Sequence, residues 1–207
     1  MRSLSIDHTL EKAGRGNAFF FRYFLLFAVL IFCTFQFNID KIYGFSIYPD
    51  EFGYWASAAQ MLGYDWSDTA ALGYYYSFGY GMILAPILSI FHDSVTAYRT
   101  AVAVNALLQC GVVWMLWEIY RRLYRIEGLR ERKMQVVLAV GTAAFYPPCS
   151  FYVQMTMVET LLTFLYLFIC YQMILFIEKK NMRSAVLLAL TLVYLYFVHM
   201  RTVGVVI

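Results

Sequence analysis

Asp50 and Glu51, directly after Pro49, are the side chains of this chain whose type and position best suit acid–base chemistry. They follow the first apolar run of membrane length, Phe19 to Phe37, and open an aromatic stretch. A carboxylate there stands at the membrane surface, where it can take a proton from a hydroxyl presented at the bilayer edge. Helix physics gives the pair a plainer role. Phe52, Trp55, Ala56, Ala59 and Leu62 follow helical spacing, which predicts a short amphipathic helix over 52–62 lying on the bilayer. Asp50 would be its N-cap and Glu51 would sit in its first turn, both favoured by the helix dipole. Capping and catalysis are compatible, and the sequence leaves both open.

The elements that must position this pair are membrane helices. Of 207 residues, 62% are hydrophobic and 14% charged, and mean hydropathy is +0.62. Soluble domains carry about half apolar and a quarter charged residues, so an all-α polytopic membrane protein is expected. The formal charge of +3 gathers at helix ends and not along a stripe, so no nucleic-acid partner is expected. Cys33, Cys110, Cys149 and Cys170 fall in or beside separate apolar runs, and His8, His92 and His199 are scattered. Neither set has metal or redox spacing.

About five spans are expected, at 19–37, 100–118, 134–153, 160–177 and 184–207. Residues 1–18 form a basic N-terminus, 119–133 a basic connection, and 38–98 a long loop with surface helices at 52–62 and 78–91. Arg22 lies near the start of the first span, where it can snorkel. Asn38-Ile39-Asp40-Lys41 offers no small-residue cleavage site, so this span reads as an uncleaved anchor. The stretch Phe78–Phe91 holds Gly79, Gly81 and Pro86 and is short for a crossing. If it stays on one side, all of the 16 basic residues except Lys41, Arg99 and Arg201 share the side of the N-terminus. If it crosses, the basic stretch 121–133 moves to the opposite side. The positive-inside bias selects the first arrangement, with the N-terminus cytoplasmic and Asp50 outside, in a plasma-membrane or ER-type bilayer.

Asp40, Asp50, Glu51, Asp65, Asp68, Asp93 and Glu159 then gather on the outer side. The aromatic residues there, among them Tyr54, Trp55, Tyr76 and Tyr80, suit an interfacial belt or a platform for sugar rings. Asn105 and Gln109, four apart in the second span, suit bonds to a neighbouring helix. Acids at the ends of spans, not in their middle, argue against a transporter or flippase-like relay. A structural membrane protein using the loop as a docking surface is the other alternative.

A basic N-terminus, one span, and then Pro-Asp-Glu opening a surface helix resembles the start of GT-C-fold glycosyltransferases. More specifically, it looks like the protein O-mannosyltransferase and aminoarabinose transferase superfamily (glycosyltransferase 39-like). Tyr74-Tyr75-Tyr76-Ser77-Phe78-Gly79-Tyr80-Gly81 and the apolar residues 82–91 resemble that family's second outer-loop segment. Arg99, Arg121-Arg122-Leu123-Tyr124, and Pro147-Pro148 through Glu159-Thr160-Leu161-Leu162 continue the likeness over nearly the whole chain.

The resemblance implies transfer of a sugar from a polyprenyl-phosphate donor to a lipid, glycan or protein acceptor on the non-cytoplasmic face. Asp50 would be the general base, and Glu51 would position the acceptor or support Asp50. Arg201, with Arg99 as a second candidate, would contact the donor phosphate or merely snorkel. Glu159 would line the site or only satisfy its helix dipole, and Tyr54 and Tyr76 are further lining candidates. The His/Lys-Pro-Pro element of several relatives is replaced here by Ala71-Leu72-Gly73-Tyr74-Tyr75-Tyr76-Ser77, so no metal or other cofactor is expected. The last apolar run reaches Ile207 without a polar flank, as the N-terminal part of a longer protein would.

Overall fold

In lipid only a helix satisfies every backbone N–H and C=O within one segment, and long apolar runs with few breakers obey that constraint here. The computed structural model describes residues 2–37, 39–45, 48–66, 76–123, 130–202 and 204, with backbone alone for 2–17, 130–132 and 201. Among these residues the chain is all-helical and has no strand. The helices are α1 (Arg2–Gln36), α2 (Pro49–Met61), α3 (Gly81–Ile90), α4 (Ser94–Leu123), α5 (Arg130–Ala144), α6 (Pro147–Val153), α7 (Glu159–Lys179) and α8 (Met182–Val198).

Among the described residues, three segments are long and apolar enough to cross a membrane: Ala18–Lys41, Ser94–Leu123 and Glu159–Lys179. The bent pair of α5 and α6 makes a fourth if it counts as one span. Phe21, Leu25 and Val29 form an exposed stripe on α1, and Val186, Leu190 and Val193 form another on α8. Stripes of that size are a liability in water and a natural surface in lipid, consistent with a membrane protein.

Several expected boundaries change. The run 134–153 is not one straight helix: Pro147-Pro148 interrupt it, and the two halves meet at 51°. Proline removes a backbone donor and forces its predecessor, Tyr146, into extended geometry. The run 184–207 is helical only to Val198, where His199 turns extended with φ −156°. Helix α8, which starts at Met182, is thus 17 residues long, or about 25 Å. By contrast, α4 reaches well past the expected 100–118 at both ends. The stretch 78–91 forms a helix of only 10 residues, about 15 Å, half the thickness of a hydrocarbon core.

Two connections show how local sequence fixes the path. Asn181 caps α8 by accepting from the Ser184 N–H at 2.8 Å, after Lys180 turns the chain with φ +47°. This makes α7 and α8 a tight antiparallel pair. Asp93 caps α4: its Oδ2 accepts from Thr96 N–H at 2.8 Å and from Thr96 Oγ1 at 2.6 Å. These bonds hold the Asp93 carboxyl below its ordinary range. A depressed value means the cap contributes above the unfolded pKa and is lost as pH falls through the folded one. Protection of the Thr96 amide from hydrogen exchange should therefore fall on acidification through that range. In Asp93→Asn the residual protection should no longer follow pH.

Among the described residues the core forms two clusters. One gathers Tyr54, Trp55, Tyr80, Leu84, Val102 and Leu161 from α2, α3, α4 and α7; the other gathers Phe20, Ile31, Val113, Trp117 and Val140 from α1, α4 and α5. Helix α4 belongs to both and is the spine of the bundle.

Candidate functional site

Asp50 and Glu51 are adjacent in sequence but meet different surroundings. Tyr48, not Asp50, is the N-cap of α2, and it makes no side-chain capping bond. Pro49 takes the first helical position, where its missing N–H costs nothing, which moves Asp50 and Glu51 into the first turn. Both carboxylates still face the positive end of the helix dipole. The other end of α2 closes in a Schellman arrangement. Gly63, with φ +78°, donates to Gln60 O at 3.0 Å, and Tyr64 donates to Ala59 O at 3.0 Å.

Glu51 is 0% exposed. Its Oε1 accepts from Tyr98 OH at 2.5 Å, from the Thr156 N–H at 2.6 Å and from Thr156 Oγ1 at 3.0 Å. Trp55 Nε1 donates to the same Thr156 hydroxyl at 2.9 Å. The carboxylate therefore ties α2 to α4 and to the link between α6 and α7. At this depth it fixes the helix that carries Asp50.

Asp50 is half-buried, and Oδ1 accepts a short hydrogen bond from Tyr76 OH. The Tyr76 ring lies flat over Gly53, where any Cβ would collide with it. Tyr54 packs edge-on against both Tyr76 (5.2 Å) and Tyr80 (5.5 Å). Tyr80 is 1% exposed, and its hydroxyl donates to Asn105 Oδ1 at 3.1 Å. Burial pushes the Tyr80 phenol above its ordinary range, so it stays a neutral donor. Of the residues chosen from sequence, the structure thus brings together Asp50, Glu51, Tyr54 and Tyr76. The expected stripe on 52–62 is corrected: Gly53 through Ala59 are buried on every side, whereas Leu62 is exposed. Small residues let α3 approach closely, with Gly81 lying against Ser57 and Ala58.

Glu159 opens α7, as expected. It lines a cavity of about 310 Å³ together with Gln109, Tyr152, Thr160 and Tyr166. Asn105 and Gln109 bond to neighbouring elements, as their spacing predicts. Asn105 Nδ2 donates to Met155 O at 2.6 Å and Gln109 Nε2 to Ala144 O at 3.1 Å. Both serve carbonyls left without helical partners around the proline break.

Arg99 lies elsewhere. Its Nε donates to Ile42 O at 2.8 Å and an Nη to Asp40 O at 2.5 Å, and its guanidinium lies 5.5 Å from the Tyr43 ring centroid. These contacts anchor the turn after α1. The Arg201 side chain lies outside the described residues, and its backbone belongs to a short 3-10 turn at Met200–Thr202. Helix α8 ends before it, at Val198. A larger cavity of about 620 Å³, lined by Ala18, Phe19, Arg22, Tyr23 and Leu26, lies toward the other end of α1. Sequence reasoning passed over Thr156, Tyr98, Tyr152 and Tyr166. Only Tyr98 had a signal, its place beside Arg99 at the start of a span.

No group of three or more metal-ligating side chains occurs among the described residues. No protein-family model, no curated protein and no solved structure matches this chain.

Proposed function

We propose that this chain is a GT-C-like integral-membrane glycosyltransferase, or the N-terminal part of one, using a polyprenyl-phosphate-linked sugar. In this reading α1, α4, the α5–α6 pair, α7 and α8 make five crossings, with the N-terminus cytoplasmic. Asp50 takes the proton of the acceptor hydroxyl as the sugar leaves its phosphate. One observation carries the reading. Asp50 is a half-buried carboxylate oriented by Tyr76, on a helix that the buried Glu51 fixes in place. Rigid presentation of a base is what general-base chemistry requires, and a purely structural loop has no need of it.

The test compares wild type with Asp50→Asn in membranes containing the native acceptor. Undecaprenyl- and dolichyl-phosphate carrying labelled mannose, glucose or aminoarabinose serve as donors. Transfer should fall by about 10²–10⁴, while protein amount and membrane insertion stay normal. Undiminished transfer in the variant would remove Asp50 as the base. Absence of transfer from every donor by the wild-type chain would favour the structural alternative.

A further inference from the structure

The cavity of about 620 Å³ on α1 combines unpaired positive charge with an apolar wall. Among the described residues it is lined by Ala18, Phe19, Arg22, Tyr23 and Leu26. Phe19, Arg22, Tyr23 and Leu26 stand at i, i+3, i+4 and i+7, so they share one helix face. Phe20, one residue round the helix, packs on Trp117 with ring centroids 5.2 Å apart, which sets this end of α1 beside the C-terminal half of α4.

Two cations here lack an acid. Arg22 is exposed and makes no hydrogen bond or ion pair among the described residues. Lys133 Nζ lies 5.4 Å from the centroid of the Phe19 ring, and it has no acidic partner among the described residues either. The nearby described acids on α4 and α7 are engaged elsewhere. Glu118 Oε2 pairs with Arg121 at 2.7 Å and with Arg122 at 3.5 Å, and Glu178 Oε2 pairs with Arg122 at 2.6 Å. Two like charges beside one aromatic ring favour an anion from outside the chain.

Depth narrows the anion's chemistry. The segment Ala18–Lys41 has 24 residues, about 36 Å, and exceeds a hydrocarbon core of about 30 Å, so its ends stand in the head-group layer. Arg22 lies about 6 Å along this segment, at the head-group boundary, and Leu26 about 6 Å deeper, where acyl chains begin. Exposed Leu25 and Val29 continue the apolar surface inward. A free inorganic anion would use only the charged end of this arrangement. A zwitterionic head group would bring its own cation against Arg22 and Lys133. An anionic phospholipid meets both ends: its phosphate oxygens accept from the guanidinium and the ammonium, and one acyl chain lies along Leu26.

We infer that this cavity is a docking site for one anionic phospholipid, drawn from the leaflet at the basic end of α1 and held by Arg22 and Lys133. The site does not depend on the transferase reading.

The experiment is photolabelling of the full chain in phosphatidylcholine nanodiscs. Trace phosphatidylglycerol or phosphatidylcholine carries a diazirine near the start of one acyl chain, and adducts are mapped by mass spectrometry on the peptide covering 18–26. A basic residue near anionic lipid contributes a factor of about five, so phosphatidylglycerol should label this peptide about 25-fold more than phosphatidylcholine does. Arg22→Gln should lower phosphatidylglycerol labelling about fivefold, and adding Lys133→Gln should bring it to the phosphatidylcholine level. Arg183→Gln, which removes an exposed cation near the start of α8, should leave it unchanged. Excess inorganic phosphate at constant ionic strength should not compete. Equal labelling by the two lipids would overturn the inference, as would undiminished labelling of the double variant. An equal fall in Arg183→Gln would mean general charge attraction without a site. Displacement by inorganic phosphate would mean a free-anion site, and either result removes the phospholipid.

Discussion

Replacing Glu51 by alanine should cost about 3–5 kcal/mol and leave little folded protein at 37 °C. The substitution strands three donors in the interior: Tyr98 OH, the Thr156 N–H and the Thr156 hydroxyl. It also cuts the link between α2 and the two elements that hold it. Asp50→Ala, one residue away, removes only a half-buried group bonded to Tyr76 and should cost about 1 kcal/mol or less. Melting temperatures of both variants in one detergent, followed by size-exclusion chromatography, read the contrast. Should Glu51→Ala melt with the wild type, the anchoring role assigned to this carboxylate is wrong. The comparison also separates loss of fold from loss of chemistry, because only Asp50→Ala should stay folded and be inactive.

The second large effect is expected at Gly79. An added Cβ would lie 2.5 Å from Val198 N and 2.6 Å from both Phe197 C and O. These are main-chain atoms, which cannot rotate aside. Gly79 N–H also donates to Phe197 O at 2.7 Å, and Tyr194 OH donates to Gly79 O at 2.9 Å. Gly79→Ala should therefore push the start of α3 away from the end of α8, at about 3 kcal/mol. Tyr194→Phe, which loses one bond and no volume, should cost about 1 kcal/mol. Heat denaturation of the two variants checks the ranking. An unaffected Gly79→Ala protein would mean that the two segments do not meet as described.

What was legible in the sequence divides along physical lines. Long apolar runs announced α1, α4 and α7, because membrane thickness imposes one length whatever packs around them. The start of α7 at Glu159 and the interhelical bonds of Asn105 and Gln109 were also readable, since buried amides need partners. The stripe on 52–62 was only partly right. Trp55, Ala56 and Ala59 are buried as expected, but so are Gly53, Tyr54, Ser57 and Ala58 on the other faces, whereas Leu62 is exposed. Close approach between helices selects small volume, and hydropathy does not record it. The double proline at 147–148 was visible, but its consequence depends on whether another element serves the freed carbonyls. Gln109 serves one of them from a distance of 35 residues. Thr156 carried no signal, since a threonine in an apolar link has many bland roles.

The long-range pairing of Glu51 also constrains the order of assembly. Its partners lie 47 and 105 residues further along the chain. At a synthesis rate of about 5–20 residues per second, Thr156 is made roughly 5–20 s after Glu51. Through that interval α2 exists with an ionisable group that its neighbours do not yet enclose. The helix must wait in water or in the head-group layer, because the bilayer interior offers the carboxylate nothing. Its docking is thus a late event in biogenesis, and a ribosome stalled before residue 156 would hold a chain whose Asp50 is present but not yet positioned.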